Sequence, residues 1–229
     1  MGGQGKRFVV GIDEAGRGSI VGEMFVAGFA APPTLEEALV DMGVKDSKQL
    51  TPHRRAELYR ELVRIGHIHV VAVPPSEIDS RNLNILTEEA AMKIVDALAR
   101  RLGGYDRLSA VIIDKFGSPR RLPAALRARG FRGLLIVEEG ADAKYPHVSA
   151  ASIVAKHLRD LRIRVLSSLY GVRGSGYPSD PRTMEWVREV LSRGERPPII
   201  RYSWSSLREY GFGRKRRGQR TLDEWLGRR

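Results

Sequence analysis

Three acidic positions in this chain each follow an apolar run with the length and composition of a strand. Asp13 and Glu14 follow residues 8–12, Asp114 follows residues 109–113, and Asp142 lies in the polar EEGADAKYP stretch after residues 134–137. Ligand sites in open α/β sheets lie at the carboxyl ends of strands, so parallel first and fourth strands side by side would bring Asp13 close to Asp114. Carboxylates crowded together without a basic partner raise one another's pKa and repel, a penalty that a divalent cation removes. The chain has no cysteine and no HExxH pair, so all-oxygen ligation selects Mg2+ or Mn2+ over Zn2+. Two such ions about 3.5–4 Å apart would activate a water and stabilise the leaving oxygen of a phosphodiester. Taken singly, each acid reads equally well as a helix cap or a solvated turn. As a set on successive strand ends, they point to phosphodiester hydrolysis. Directly after the first pair, Gly16-Arg17-Gly18 forms a tight turn whose backbone N–H groups can approach a ligand closely.

The elements that must hold these residues can be read in order. Residues 8–12 and 23–31 are strands, the second ended by Pro32-Pro33, and Thr34 caps a short helix over 35–41. Thr51-Pro52 starts a helix to about Ile65, with Leu58, Leu62 and Ile65 at helical spacing. Residues 67–73 alternate and are β-branched, a strand stopped by Pro74-Pro75. A long amphipathic helix lies within 82–102. Then come the apolar strand 109–113, a helix near 122–129, the strand 134–137 and a helix that Ser149 begins and that ends near Gly171. GSGYPSDPRT is a turn, Asp180-Pro181 caps a helix to about Arg193, and a short segment spans 204–210. Three hairpin-like strands, then two strands alternating with helices, give an α/β domain with a five-stranded mixed sheet over residues 1–171. A helical C-terminal extension over 172–212 and a basic tail over 213–229 follow.

Composition narrows the function class. The chain has 229 residues, 42% hydrophobic and 29% charged, within the range of a soluble globular protein. No apolar run approaches a membrane span and no signal-peptide pattern opens the chain, so a cytoplasmic protein is expected. The net charge is +12, with 31 Arg against 8 Lys, and guanidinium forks match phosphate geometry, so a polyanion is the expected partner. Histidines 53, 67, 69, 147 and 157 show no ligand spacing, except that His67 and His69 share a strand face; they read as structural, with His147 near Asp142 in the chain.

In this order, GIDEAGRGSIVG, KDSKQLTP, VIID, EEGAD, SAASIVAKHLRD and GSGYPSDPRT resemble type 2 ribonucleases H (RNase HII) over most of the chain. The GSGYPSDP wording resembles the archaeal and eukaryotic branch more than the bacterial one. The resemblance implies an RNase H-like fold and a four-carboxylate site of Asp13, Glu14, Asp114 and Asp142 holding two Mg2+ or Mn2+ ions. It implies endonucleolytic cleavage of the RNA strand in RNA–DNA hybrids, and 5′ of single ribonucleotides embedded in duplex DNA, leaving 3′-hydroxyl and 5′-phosphate ends. Asp13 is the expected bridge between the ions. Water is the expected nucleophile, because a 2′-OH mechanism calls for His or Lys as acid and base. Gly16, Arg17 and Gly18 match the loop that senses the ribonucleotide, with backbone groups at the 2′-OH and Arg17 at phosphate. Tyr177 matches a tyrosine that stacks on the following deoxyribose, and Lys48 and Ser149 match positions that contact phosphate. One departure stands out: Gly140 occupies a position where a Lys is common.

The tail carries Gln219, Leu222, Trp225 and Leu226 in an order that resembles the sliding-clamp-binding box, with Leu226 where an aromatic is usual. A helical turn would gather the three apolar side chains as anchors. The expected protein is monomeric and does not engage a membrane. Two other readings compete: a structure-specific DNA nuclease of the same fold, and a catalytically silent, clamp-tethered nucleic-acid binder.

Overall fold

A computed structural model describes residues 7–44, 50–117 and 119–212. Five strands, β1 (Phe8–Ala15), β2 (Met24–Ala31), β3 (His67–Val73), β4 (Leu108–Asp114) and β5 (Leu134–Glu138), form one mixed sheet in the order β3-β2-β1-β4-β5. β1, β2 and β3 pair antiparallel, while β4 runs parallel to β1 and β5 parallel to β4. The helices are α1 (Glu36–Asp41), α2 (Pro52–Ile65), α3 (Pro75–Ser80), α4 (Leu83–Leu102), α5 (Leu122–Ala128), α6 (Ala141–Lys144), α7 (Pro146–Tyr170) and α8 (Pro181–Ser192). This is the expected five-stranded mixed sheet flanked by helices.

The central strands of the sheet are covered on both faces. Val10, Ile12, Val26, Val111 and Ile113 pack against Ala91, Ile94, Val95 and Leu98 of α4. On the other face Ala27, Phe29 and Ala31 meet Leu58 and Leu62 of α2 and Ala150, Ala151, Ile153 and Val154 of α7. Strand alternation sends Val10 and Ile12 to the α4 side and turns the residues between them toward α7. The approach of α7 is close: a Cβ at Gly11 would stand 2.2 Å from the backbone carbonyl of His147. The N-terminal part of α7 therefore lies directly against β1 beside Asp13.

A third core joins the segment after β1 to the C-terminal residues: Ile20 and Val21 pack with Leu166, Trp186, Val187, Ile199 and Leu207. Backbone bonds reinforce it, with Ile20 N–H donating to Gly176 O at 2.9 Å and Gly22 N–H to Ile199 O at 2.8 Å. Among the described residues no helix is long and apolar enough to cross a membrane.

Several local expectations needed correction. β1 continues through Asp13, Glu14 and Ala15, because β2 pairs with all three through Ala27, Val26 and Phe25; the two acids lie within the strand and not beyond it. Thr34 sits in a 3-10 turn, Pro33–Leu35, and Leu35 precedes α1 with no side-chain cap. Pro74-Pro75 both ends β3 and starts α3, since a proline at the first helical position lacks only an N–H that has no helical partner. For the same reason α7 begins at Pro146 and not at Ser149. Asp142 belongs to the short helix α6 and not to a loop. The caps at Thr51 and Asp180 stand as read: their side chains accept from the N–H groups of Arg54 and Arg182.

Candidate active site

Ile12 and Ile113 are partners in the parallel β1–β4 register, so Asp13 and Asp114 are the next residues of adjacent strands. Asp13 is 6% exposed, and its Oδ1 accepts the Glu14 N–H at 2.7 Å. Burial pushes its carboxyl up to about 7, and the charge of Asp114 adds to the rise; Ser152, the Glu14 N–H and Lys156 act in the opposite direction. The Ser152 hydroxyl faces this carboxyl without reaching full hydrogen-bond geometry. Glu14 is likewise raised to about 7, by burial first and then by Asp13 and Asp114, with Arg17 opposing. Three acids thus share one electrostatic environment.

Each of these acids is engaged by a protein donor. Glu14 lies 3.7 Å from Arg17 Nη1, and Asp114 Oδ1 accepts the Ala141 N–H at 2.9 Å. That bond ties α6 to the end of β4 and sets Asp142, 4% exposed, one residue further on. Asp142 in turn is held through its carbonyl, which accepts from the Ser149 hydroxyl. Among the described residues no three acids or histidines are drawn around one point as a preformed metal cage. The donor chemistry nonetheless fits a hard divalent cation: carboxylate oxygens, two of them held near pKa 7 by burial and mutual repulsion that a cation would relieve.

The Gly16-Arg17-Gly18 turn follows at once. Gly16 takes φ +81°, which favours glycine, and a Cβ there would stand a tight 3.1 Å from the Glu23 carbonyl. The Arg17 guanidinium, expected at phosphate, is occupied within the protein: it bonds Thr87 Oγ1 at 3.0 Å, Phe116 O at 3.1 Å and the Asn84 side-chain oxygen, and it faces Glu14. Tyr177 comes to the same place from the C-terminal part, its Cε1 3.9 Å from where a Cβ on Gly18 would stand. The Arg159 guanidinium lies 4.4 Å from the Tyr177 ring centroid on one face.

Lys48 and the tail residues Gln219, Leu222, Trp225 and Leu226 lie outside the described residues. Ser149 is fully buried, with its hydroxyl committed to Asp142. Gly140, where a Lys is common, stands as the N-cap of α6. The His147 ring lies against Phe29, and burial lowers its pKa, with Glu36 and the backbone at Ala31 and Pro32 opposing. A cleft of about 590 Å³, lined by Asn82, Asn84, Ile85, Glu88, Gly117, Arg120 and Arg121, opens beside Arg17's partner Asn84. A larger cleft of about 700 Å³ runs between the end of α5 and the start of β5, away from the acids.

Ser152, Lys156, Arg159 and Arg201 escaped the sequence reading. For the first three a signal existed: Ser149, Ser152, Lys156 and Arg159 are spaced three and four apart, which puts all of them on one face of α7. That face meets β1 and the turn after it. Arg201 had no such signal.

Comparison with known proteins places this arrangement. The family model for Ribonuclease HII matches residues 10–207. Ribonuclease HII of Aeropyrum pernix is 52% identical over 223 residues, 96% of this chain and 98% of that protein. Among solved structures, ribonuclease H2 from Pyrococcus horikoshii OT3 superposes with a TM-score of 0.76 at 41% identity, over 89% of this chain and 96% of that one. RNase HII from Archaeoglobus fulgidus, solved as a PCNA:RNase HII complex, gives a TM-score of 0.74 at 35% identity, over 95% and 99% of the two chains. With the paired acids and the glycine turn in one stretch of β1, these matches agree on one assignment: the chain belongs to the ribonuclease HII family, in its archaeal branch, and is a metal-dependent endoribonuclease.

Proposed function

We propose that the protein cleaves the RNA strand of RNA–DNA hybrids and cuts 5′ of single ribonucleotides embedded in duplex DNA, leaving 3′-hydroxyl and 5′-phosphate ends. The observation that carries this reading is the continuity of Asp13 with the Gly16-Arg17-Gly18 turn, with Asp114 beside the first and Tyr177 beside the second. Asp13, Glu14, Asp114 and Asp142 are the residues to hold two ions, Mg2+ or Mn2+. When bound, such ions supply activation of water and charge stabilisation at the leaving oxygen.

The chain's own residues place the substrate. The turn offers backbone N–H groups to the 2′-OH, the group that separates RNA from DNA. Tyr177, with Arg159 against its ring, is the residue to stack on a deoxyribose. Ser149 acts through Asp142, whose carbonyl it holds, and Arg17 and Lys48 are the proposed basic contacts near the cut. The cleft lined by Arg120 and Arg121 continues the cationic surface beyond Arg17, consistent with a net charge of +12 and a polyanionic partner.

The decisive assay uses a DNA duplex carrying one ribonucleotide beside an all-DNA control, with Mg2+ or Mn2+. Only the first should be cut, on the 5′ side of the ribonucleotide. No cutting in either metal sinks the proposal, and equal cutting of both duplexes favours a structure-specific DNA nuclease instead.

The tail extends the proposal to a sliding clamp, bound by an otherwise monomeric enzyme. Its support is the order of Gln219, Leu222, Trp225 and Leu226, together with the PCNA complex of the Archaeoglobus fulgidus relative. Deleting residues 219–229 should eliminate co-elution with the clamp and leave cleavage of a short duplex unchanged. A truncated protein that still binds the clamp refutes the assignment.

A further inference from the structure

All three carbonyls of the Gly16-Arg17-Gly18 turn are bound from the protein side. Gly16 O accepts the Ser19 N–H at 3.2 Å, Arg17 O accepts Arg201 Nη1 at 3.1 Å, and Gly18 O accepts Trp204 Nε1 at 3.3 Å. A trans peptide points its N–H opposite to its carbonyl. With the Arg17 carbonyl drawn down to a buried guanidinium, the Gly18 N–H must face the other way. Gly18 is exposed, and neither its N–H nor that of Arg17 is hydrogen-bonded among the described residues. The turn therefore presents a donor edge outward because its acceptors are held inward.

Arg201 is built for this and for little else. It is 0% exposed, yet among the described residues it makes no ion pair; its Nε donates to Gly22 O at 2.9 Å, its Nη1 to Arg17 O, and its Nη2 has no hydrogen-bond partner. That Nη2 faces the inside of the turn, 3.8 Å from where a Cβ on Gly16 would stand. Burial lowers its pKa to about 10, with Arg159 contributing in the same direction. A buried charge with so few partners is costly, and an apolar side chain of similar volume would serve stability better. The rigid fork, however, ties a carbonyl within the turn, Arg17 O, to one four residues beyond it, Gly22 O, which an apolar group cannot do and a flexible lysine does with less fixed geometry. The Trp204 ring covers the guanidinium at 5.2 Å and adds the third bond.

We propose that Arg201 and Trp204 are positioning residues for ribonucleotide selectivity, fixing the peptide orientation of the turn so that its N–H edge, and not a carbonyl, meets the 2′-OH. The inference rests on the reading of this turn as the ribose sensor. Glycines on both sides of Arg17 make a peptide flip sterically easy, so something must hold the productive orientation.

The test is binding without turnover. Affinities for a duplex with one ribonucleotide and for its all-DNA counterpart are measured by fluorescence anisotropy in EDTA, alongside the thermal midpoint of each protein. Trp204→Phe keeps the ring over Arg201 and removes only the N–H. It should reduce the ribonucleotide-to-DNA affinity ratio about 2- to 10-fold, the range of one hydrogen bond, with all-DNA affinity and midpoint unchanged. Arg201→Lys keeps the charge but loses the rigid planar fork, and should reduce the ratio further; if it does not fold, Trp204→Phe decides alone. A selective wild type with an equally selective Trp204→Phe protein overturns the proposal, as does an equal loss of affinity for both duplexes, which marks general damage. A wild type that binds both duplexes equally overturns the sensor reading itself, and this inference with it.

Discussion

Replacing Asp13 with Asn is expected to remove cleavage, by on the order of 10³-fold or more, while raising the thermal midpoint of the metal-free protein at pH 8. The two effects have one cause. Asp13 is buried beside Asp114, and burial pushes its carboxyl up to about 7 from the ordinary 3.8. A folded-state pKa raised above the unfolded one means that the folded state prefers the protonated form. That contribution to stability is complete below about pH 4 and is lost as pH rises through about 7. Glu14, also raised to about 7, behaves in the same way. At pH 8 the metal-free wild type therefore carries a buried carboxylate at Asp13 repelled by the part-buried Glu14 and Asp114, and Asn at position 13 relieves part of that repulsion.

Thermal unfolding in EDTA at pH 5 and pH 8 checks the sign. The midpoint of Asp13→Asn should exceed that of the wild type at pH 8 by several degrees, at roughly 2–4 °C per kcal/mol for a chain of this size, and the gap should narrow at pH 5. Mg2+ or Mn2+ should raise the wild-type midpoint at pH 8 more than at pH 5, because the ligands must be ionised, and should raise the variant's much less. A gap that does not depend on pH would show that Asp13 is not the strained acid described above.

The second large effect is structural. Gly11→Ala places a methyl 2.2 Å from the carbonyl carbon and oxygen of His147 and 2.4 Å from the Val148 nitrogen. These are backbone atoms of the first turn of α7, so no side-chain rotamer can relieve the clash. Either the helix or the strand must move, and overpacking of this kind costs about 3 kcal/mol or more. The displaced helix carries Ser152 and Lys156, which act on Asp13. Chemical denaturation should therefore give a lower midpoint, and any protein that still folds should cleave poorly. Unaltered stability would mean that α7 is not pressed against β1 at this residue.

Much of the scaffold was legible because its determinants are local. Period-two apolar runs, the helical spacing of Leu58, Leu62 and Ile65, and the caps at Thr51 and Asp180 act through residues only a few positions apart, and each appears in the structure as read. The strand-end placement of Asp114 was legible for the same reason, and parallel pairing with β1 followed from the α/β pattern. Ordered short motifs carried the family.

What escaped was set by partners distant in the chain. β1 runs on through Asp13 and Glu14 only because β2 pairs with them, so Asp13 is a buried and Glu14 a part-buried strand residue, both with raised pKa values. Arg17 reads in sequence as a phosphate contact, and nothing nearby in the chain signals that its guanidinium is also held by Thr87, Asn84 and Phe116 across 67 to 99 residues. Arg201 reads as one of 31 arginines, yet it lies fully buried under a turn 184 residues away. The sequence by itself determined the elements, the order of the acids and the glycine turn, because propensity, periodicity and motif are properties of neighbouring residues. Only the tertiary structure decided which acids share a field, which arginines are structural and which way the peptides of the turn face, because burial and long-range hydrogen bonds exist only after the chain has closed on itself.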